Sequence, residues 1–162
     1  METLDDQLQE ARVGTGPDQI VLERLSQAPL FEGIDRREVA KILAVFDDQH
    51  FNAGHRVTLE GFRGSEFYII TEGWATVVAN GATVGVLGPG DFFGEMAVLG
   101  DGLRSASVIA ETPLRCLVLA NNALAAVLET HPKLGVSMLH EVISRYKGAV
   151  GSRPQREVPA HR

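Results

Sequence analysis

Glu95 and Arg104 are the residues of this chain whose types and surroundings predict binding chemistry. Both lie in the stretch 91–108, DFFGEMAVLGDGLRSASV, where glycines flank a short apolar segment and small residues follow the arginine. In an extended strand alternate side chains share a face, so Arg104 should point the same way as Val108 and Ala110. A buried guanidinium without an anionic partner is costly. Glu95 and a bound ligand are the two candidate partners, so the stretch predicts a pocket for a small anion.

The helix that precedes this stretch has the clearest pattern in the sequence. Asp35 and Glu38 have the spacing of a capping box, which marks a helix start. Four apolar residues then follow at the spacing i, i+3, i+4 and i+7 of one helical face: Val39, Ile42, Leu43 and Phe46. The pattern predicts a helix over 35–46, and a shorter helical segment is predicted over 20–25.

Short strands are predicted after this helix, because the period of the apolar residues falls from 3.6 to 2. Glycine-containing turns separate seven candidate strands: 49–51, 57–59, 66–71, 75–79, 83–87, 105–109 and 114–119. The pair Asn80-Gly81 lies between two of them and is typical of a two-residue type I′ hairpin. Such punctuation favours a jelly-roll sandwich or barrel over alternating strands and helices.

The end of the chain returns to the helical period. A helix capped by Asn121 or Asn122 is predicted to end at His131-Pro132, since proline breaks a helix. A second helix is predicted over 132–147. Its apolar stripe either covers the barrel or pairs two copies of the chain, and it consists of Leu139, Val142, Ile143 and Tyr146.

These patterns predict an α+β chain that is mainly β. The expected fold is a jelly-roll β-barrel (a double-stranded β-helix) with an N-terminal helical segment and C-terminal helices. We expect one domain over 18–147, since 162 residues suffice for one good core. The segment 1–17 is predicted to be a flexible tail, and 148–162, rich in Gly, Pro and Arg, a disordered one.

The composition limits the classes of partner. The 15 Lys and Arg residues against 21 Asp and Glu give a formal charge of −6, which disfavours a surface for nucleic acid. No apolar run approaches the roughly 20 residues of a membrane span, and the acidic start METLDD is unlike a signal peptide. We therefore expect a cytoplasmic protein without nucleic-acid or membrane partners. The single cysteine, Cys116, is expected to be a packed strand residue.

The central stretch resembles the phosphate-binding cassette of cyclic nucleotide-binding domains. The likeness is carried by FGEMAVL at 93–99 and RSASV at 104–108, with the family's spacing between them. It extends to FYII at 67–70 and LGPGDFF at 87–93, and covers the chain from about Pro29 to Tyr146. The resemblance implies the jelly-roll fold and a cyclic nucleotide as ligand.

The resemblance also implies a role for each residue of the cassette. Arg104 would pair with the cyclic phosphate, and Glu95 would accept a hydrogen bond from the ribose 2′-hydroxyl. Guanidinium is suited to bidentate phosphate recognition, so the first role agrees with the residue type. The other expected ligand residues are Gly94, Met96 and Ala97 through their backbone and Ser105 through its hydroxyl and N–H. Serine at position 105 resembles the bacterial catabolite-activator type and favours cAMP over cGMP.

In such a sensor the C-terminal helix would pass the signal to an effector protein. Ligand binding would shift the population between two helix positions, which requires different affinities for the two. Tyr146 would either cover the purine as a lid or be a core residue. Because relatives pair through this helix, a homodimer is a further expectation.

The alternative to a sensor is a degenerate jelly-roll interaction scaffold that no longer binds nucleotide. In that case Glu95 and Arg104 would form an internal ion pair.

Enzymatic and DNA-binding functions have little support in the sequence. A metal-dependent jelly-roll enzyme needs clustered histidines, but the five histidines include no His-x-His pair. The chain also lacks a Gly-x-Ser-x-Gly nucleophile motif. We therefore expect no enzyme activity, no catalytic residues and no metal or cofactor. Residues 148–162 are too few for a helix-turn-helix domain.

Overall fold

Eight strands and five α-helices make up the part of the chain that the computed structural model describes, residues 18–120, 123–150 and 156–160. The helices are α1 (Gln19–Ser26), α2 (Arg36–Leu43), α3 (Glu95–Leu99), α4 (Ala123–Thr130) and α5 (Pro132–Val150), with a 3₁₀ turn at Pro29–Phe31. The strands are β1 (Asp47–Phe51), β2 (Arg56–Thr58), β3 (Glu66–Glu72), β4 (Ala75–Ala79), β5 (Ala82–Leu87), β6 (Phe92–Phe93), β7 (Ser107–Ala110) and β8 (Leu114–Ala120).

The strands form two four-stranded antiparallel sheets with jelly-roll connections. One sheet has the order β1-β8-β3-β6 and the other β2-β7-β4-β5. Neighbours in each sheet are mostly distant in sequence, so the chain crosses repeatedly between the two. The sheets do not close into a continuous barrel. The predicted α+β, mainly β, jelly-roll class is confirmed.

The alternation of side chains along β3 creates two apolar cores. Tyr68 and Ile70 point between the sheets, where they join Val108 of β7. Phe67 and Ile69 point to the opposite face, where the helices cover the sheet. Because successive strand residues face opposite sides, one apolar strand can be buried on both faces. The predicted packed position of Cys116 in β8 is confirmed, and burial raises the pKa of its thiol to about 12.

The Asn80-Gly81 hairpin is confirmed. β4 and β5 pair from Ala79 opposite Ala82, and the two loop residues have φ values of +51° and +76°. A type I′ turn requires positive φ at both positions, which asparagine and glycine tolerate best. This local chemistry fixes the register of the strand pair.

The helix predicted over 35–46 is confirmed but shorter, since α2 ends at Leu43. The Asp35 carboxylate caps it by accepting a hydrogen bond of 2.7 Å from the backbone N–H of Arg37. Val39 and Ile42 are buried as predicted. Phe46 lies beyond the helix and contacts Phe67 edge-on, so it reaches the same core from a turn.

Of the two alternatives for the apolar stripe on the last helix, covering the barrel is wrong. The side of α5 that packs into the helix-covered core carries Leu134, Met138 and Val142. The stripe residues other than Val142 are exposed: Leu139, Ile143 and Tyr146. The helix packs against the 3₁₀ turn at Pro29–Phe31, and that contact selects one of its two apolar sides. The stripe therefore does not cover the sheets.

The predictions about the chain ends have different outcomes. α4 ends at Thr130, directly before His131-Pro132, as predicted. Asn121 and Asn122, the predicted caps, and the tail 1–17 lie outside the described residues. The last helix continues to Val150, three residues past the predicted domain end at position 147. The domain limits stay a prediction.

Of the helices described, none has the length and apolarity needed to cross a membrane.

Candidate functional site

Arg104 is a buried cation held by the backbone and by one carboxylate. Its Nη1 donates to the carbonyl oxygens of Glu66 at 3.0 Å and Gly94 at 3.3 Å. Its Nη2 lies 3.4 Å from Oε2 of Glu66. These contacts engage three of the five N–H donors of the guanidinium. Arg104 is 6% exposed, so this loop residue between α3 and β7 is buried rather than on the surface.

The residues around this guanidinium leave little room for larger side chains. Its carbon lies 5.8 Å from the centre of the Tyr68 ring, which stacks on Phe93 at 4.6 Å between ring centres. The Tyr68 pKa is raised, mainly by burial and also by Glu66, although Arg104 lowers it. On another side the backbone of Gly64 abuts the guanidinium, because a Cβ built there would collide with its Nε.

We therefore expect Gly64→Ala to displace Arg104 and destabilise the fold. Overpacking of a filled site costs about 1–3 kcal/mol of unfolding free energy. Gly85→Ala is the matched control, because a Cβ at Gly85 meets no atom within 4 Å. Urea unfolding of both variants measures the difference. Equal midpoints for the two variants would contradict the close packing of Gly64 on Arg104.

Glu95 is a buried carboxylate at the first residue of α3. Gly94 precedes it with a φ of +91°, and a Cβ at this position would lie 2.6 Å from the carbonyl oxygen of Glu66. Both facts require glycine, which lets the chain turn sharply and aim Glu95 inward. Glu95 is 7% exposed, and burial raises the pKa of its carboxyl. Arg145, the backbone N–H of Glu95 itself and Arg104 act in the opposite direction.

The side chain of Arg145 connects α5 to this carboxylate. Its Nη1 lies 3.8 Å from Oε1 of Glu95, and its guanidinium carbon lies 4.3 Å from the centre of the Phe92 ring. Phe92 is fully buried on the helix-covered side of its sheet. The C-terminal helix therefore contacts both Phe92 of β6 and Glu95, the first residue of α3.

Glu95 and Arg104 have different ionic partners. Arg104 is paired with Glu66, and Glu95 is paired with Arg145. The two still act on each other, since Arg104 lowers the pKa of Glu95. The internal Glu95–Arg104 ion pair considered from the sequence is therefore not the arrangement in this structure. A cation and an anion with separate partners face the same region.

The family follows from the sequence of this region. The family model of the cyclic nucleotide-binding domain matches residues 48–131, from β1 to the end of α4. The match covers more than half of the chain and includes both Glu95 and Arg104. The chain belongs to the cyclic nucleotide-binding domain family. The recognition made from the cassette is thus confirmed.

Two curated relatives are similar to this cyclic nucleotide-binding domain over part of their length. Glutaminase 2 of Bradyrhizobium diazoefficiens is 32% identical over 119 residues, which are 73% of this chain and 19% of that protein. The cGMP-dependent protein kinase egl-4 of Caenorhabditis briggsae is 31% identical over 108 residues, 63% of this chain and 14% of the kinase. The chain therefore spans less than a fifth of either relative.

Solved structures share the fold. The catabolite activator protein of Thermus thermophilus matches with a TM-score of 0.70 and 28% identity, covering 76% of this chain and 60% of that one. The cAMP-bound structure of PfPKA-R matches with a TM-score of 0.71 and 23% identity, covering 82% of this chain and 45% of that one. This chain thus shares its fold with part of each of these structures.

The other residues predicted for the site lie at different depths in this domain. Gly94 and Ala97 are next to the buried Glu95, and Ala97 is itself buried. Met96 and Ser105 are exposed. Tyr146 is 72% exposed, so its interpretation as a core residue is wrong, and its role as a lid stays a prediction.

Two residues of the site were missed by sequence reasoning. Glu66 opens β3 far from the cassette, and nothing in its local pattern indicates that it reaches Arg104. Arg145 carried a weak signal, because it lies three positions after Val142 on the packed side of α5. A basic residue at the end of a buried stripe indicates a nearby anionic or aromatic partner. Among the described residues, no three His, Cys, Asp or Glu side chains converge as a metal site would require.

Proposed function

We propose that this cyclic nucleotide-binding domain is a cAMP sensor in which Arg104 holds the cyclic phosphate and Glu95 the ribose 2′-hydroxyl. The observation that carries the proposal is the pair of buried, separately partnered charges, one in each part of the cassette. Buried charges are costly unless they are well paired, and the ionic partners here are distant, at 3.4 Å for Arg104 and 3.8 Å for Glu95. Their signs match the anionic phosphate and the hydrogen-bond donor of a nucleotide.

The partner of Arg104 is replaceable. The Glu66 side chain is 44% exposed and its contact with Nη2 is long, at 3.4 Å. The carboxylate already contacts solvent, so it can turn away from Arg104 when a phosphate takes its place on the buried guanidinium. A cyclic phosphate offers a full negative charge and two oxygens for a planar guanidinium, which makes stronger charge-assisted hydrogen bonds. The two backbone carbonyls on Nη1 would meanwhile keep the guanidinium in position.

Glu95 suits a hydroxyl donor better than an anion. An ionised carboxylate has two oxygens and about four lone-pair positions, so it can accept a hydroxyl beside an existing partner. A cyclic nucleotide lacking the 2′-hydroxyl would lose this bond. Ser105 supports cAMP over cGMP through the family resemblance, and its exposed position is compatible with contact to a ligand in solution.

The signal would leave the domain through α5. Arg145 connects this helix to Glu95. Binding of a ligand to the Glu95 carboxylate would therefore alter the contact that α5 makes with the site. The exposed apolar side of α5 offers a surface for the next protein, either an effector or a second copy of the chain. It consists of Val136, Leu139, Ile143 and Tyr146, at the alternating three- and four-residue spacing typical of paired helices.

Calorimetric titration with cAMP and with cGMP tests the proposal. We expect saturable binding in the micromolar range, tighter for cAMP, and weaker binding of 2′-deoxy-cAMP because Glu95 then lacks its donor. Loss of one hydrogen bond to a charged group corresponds to roughly tenfold or more in affinity. No heat from either nucleotide at millimolar concentration would instead favour the scaffold that no longer binds nucleotide.

A further inference from the structure

We propose that residues 156–160 form a strap that occupies a docking groove for an extended, arginine-bearing segment between α1, α5 and the turn 88–91. The proposal goes beyond the proposed function, because it needs no nucleotide and involves neither Glu95 nor Arg104. The occupant of the groove in this protein is the chain's own strap. Another segment of the same chemistry must therefore displace the strap before it can dock.

The groove is a cavity of about 440 Å³ on the helical side of the domain. Its floor is apolar, since the lining residues Val21, Leu25 and Ala28 are buried. Two carboxylates also line it, Asp91 from the turn and Glu141 from α5. An apolar floor with a few polar groups is typical of a binding site, and the cavity has the volume of one.

Asp91 is a fixed anion at this groove. Its carbonyl oxygen accepts a hydrogen bond from the Ile70 N–H at 2.8 Å, and the N–H of the preceding Gly90 donates to the Ile70 carbonyl at 2.8 Å. Its side-chain Oδ2 accepts from the N–H of Gly88 at 2.8 Å, which orients the carboxylate. The turn therefore presents a preorganised acceptor, so little ordering is needed when a cation binds.

Arg156 of the strap supplies that cation. Its Nη1 donates to the same Oδ2 of Asp91 at 2.7 Å. The other arginine at the groove, Arg24, donates instead to the carbonyl oxygen of Thr71 at 3.4 Å. Apart from Arg156, the described residues that line the groove thus carry two carboxylates against one guanidinium. The groove is complementary in charge to a basic segment.

The chain is long enough to bring the strap back to this groove. Along a helix that rises 1.5 Å per residue, Glu141 lies about 14 Å before Val150, the end of α5. The six steps from Val150 to Arg156 can span up to about 20 Å. Because Arg156 and Glu141 line the same groove, the strap lies beside α5 and does not extend it.

The strap is held weakly enough to be displaced. The Arg156 side chain is 63% exposed, against 20% for that of Asp91. Ion pairs with an exposed partner contribute little, and salt weakens them further. The short connection of residues 151–155 nevertheless gives the strap an effective concentration of millimolar order at the groove. A free segment at lower concentration would therefore bind poorly while the strap is closed.

Nitrogen-15 relaxation of the full chain tests the strap. In wild-type protein we expect order parameters above about 0.6 for the amides of Glu157 and Val158, and lower values in Arg156→Gln and Asp91→Asn. Asparagine keeps an acceptor for the Gly88 N–H but removes the charge. Glu157→Gln is the control, because it removes an exposed charge next to Arg156 and should leave the strap ordered. Low values in wild-type protein, as the predicted disordered tail would give, would overturn the proposal.

Titration with a synthetic peptide of residues 151–162 tests the groove itself. At millimolar peptide we expect the amide signals of Gly90 and Asp91 to shift in the Arg156→Gln protein, and to shift less in wild-type protein, whose strap occupies the groove. The peptide carrying Arg156→Gln should bind about two- to fivefold more weakly. Equal responses of the two proteins, or equal binding of the two peptides, would contradict the proposal. Both tests omit nucleotide, so a failure of the proposed function leaves their outcome unchanged.

Discussion

Replacing Arg104 by alanine is expected to weaken cAMP binding by roughly 30-fold to several thousand-fold. The range corresponds to about 2–5 kcal/mol, the cost of removing one partner of a buried, hydrogen-bonded charge pair. The reason is geometric as well as electrostatic. Arg104 is anchored by the carbonyls of Glu66 and Gly94, so its remaining donors are presented in a fixed orientation. Calorimetric titration of the variant measures the loss.

Two controls separate this role from general effects. Arg63→Ala removes an exposed cation just before Gly64. We expect it to change cAMP affinity by less than about threefold, because Arg104 acts through direct contact with the phosphate and not through general charge attraction. Arg104→Lys keeps the charge but lacks the planar fork, so its affinity should be intermediate. Arg104→Lys also replaces the alanine variant in this test if Arg104→Ala folds poorly after losing its contacts to the two backbone carbonyls. Binding of Arg104→Ala within about threefold of wild type would refute the phosphate role.

Replacing Phe67 by alanine is expected to remove about 3–5 kcal/mol from the free energy of unfolding. Phe67 has no exposed surface and lies between the sheet and the helices, where it contacts Phe46 and Phe92 with ring centres at 6.3 and 5.7 Å. Truncation would leave a cavity below Phe92, the ring that carries Arg145. Urea unfolding followed by circular dichroism measures the loss.

Phe62→Ala is the matched control for this prediction. Phe62 has the same side chain but is 66% exposed, so its removal should change stability by about 0.5 kcal/mol or less. If Phe67→Ala does not fold, Phe67→Leu should show a smaller loss in the same direction. A similar loss for the two alanine variants would mean that Phe67 does not hold the helices on the sheet.

Local chemistry made much of this fold predictable. Asn80-Gly81 specifies its hairpin because both residues tolerate positive φ, and Asp35 specifies the start of α2 because its carboxylate binds the Arg37 N–H. The cassette itself is contiguous, so its family pattern is visible in the sequence. β6 was missed because two residues, Phe92 and Phe93, are too short to show a period.

The orientation of α5 and the ionic partners of the site were not predictable in this way. α5 has apolar residues on two sides, and only tertiary contact with the 3₁₀ turn at Pro29–Phe31 selects Leu134 and Met138 over Leu139. The partners of Arg104 and Glu95 come from β3 and α5, which are distant in sequence. Charge alone does not identify Glu66 as the partner of Arg104, or Arg145 as the partner of Glu95, among the many charged residues of the chain.

A crystal structure of the wild-type domain with cAMP tests the central claim most directly. We predict phosphate oxygens at about 2.7–3.0 Å from the guanidinium nitrogens of Arg104, with the Glu66 carboxylate turned away, and the ribose O2′ at hydrogen-bond distance from Glu95. Two outcomes would contradict the account. One is nucleotide bound elsewhere, and the other is a site without nucleotide at millimolar cAMP in which Arg104 is still paired with Glu66.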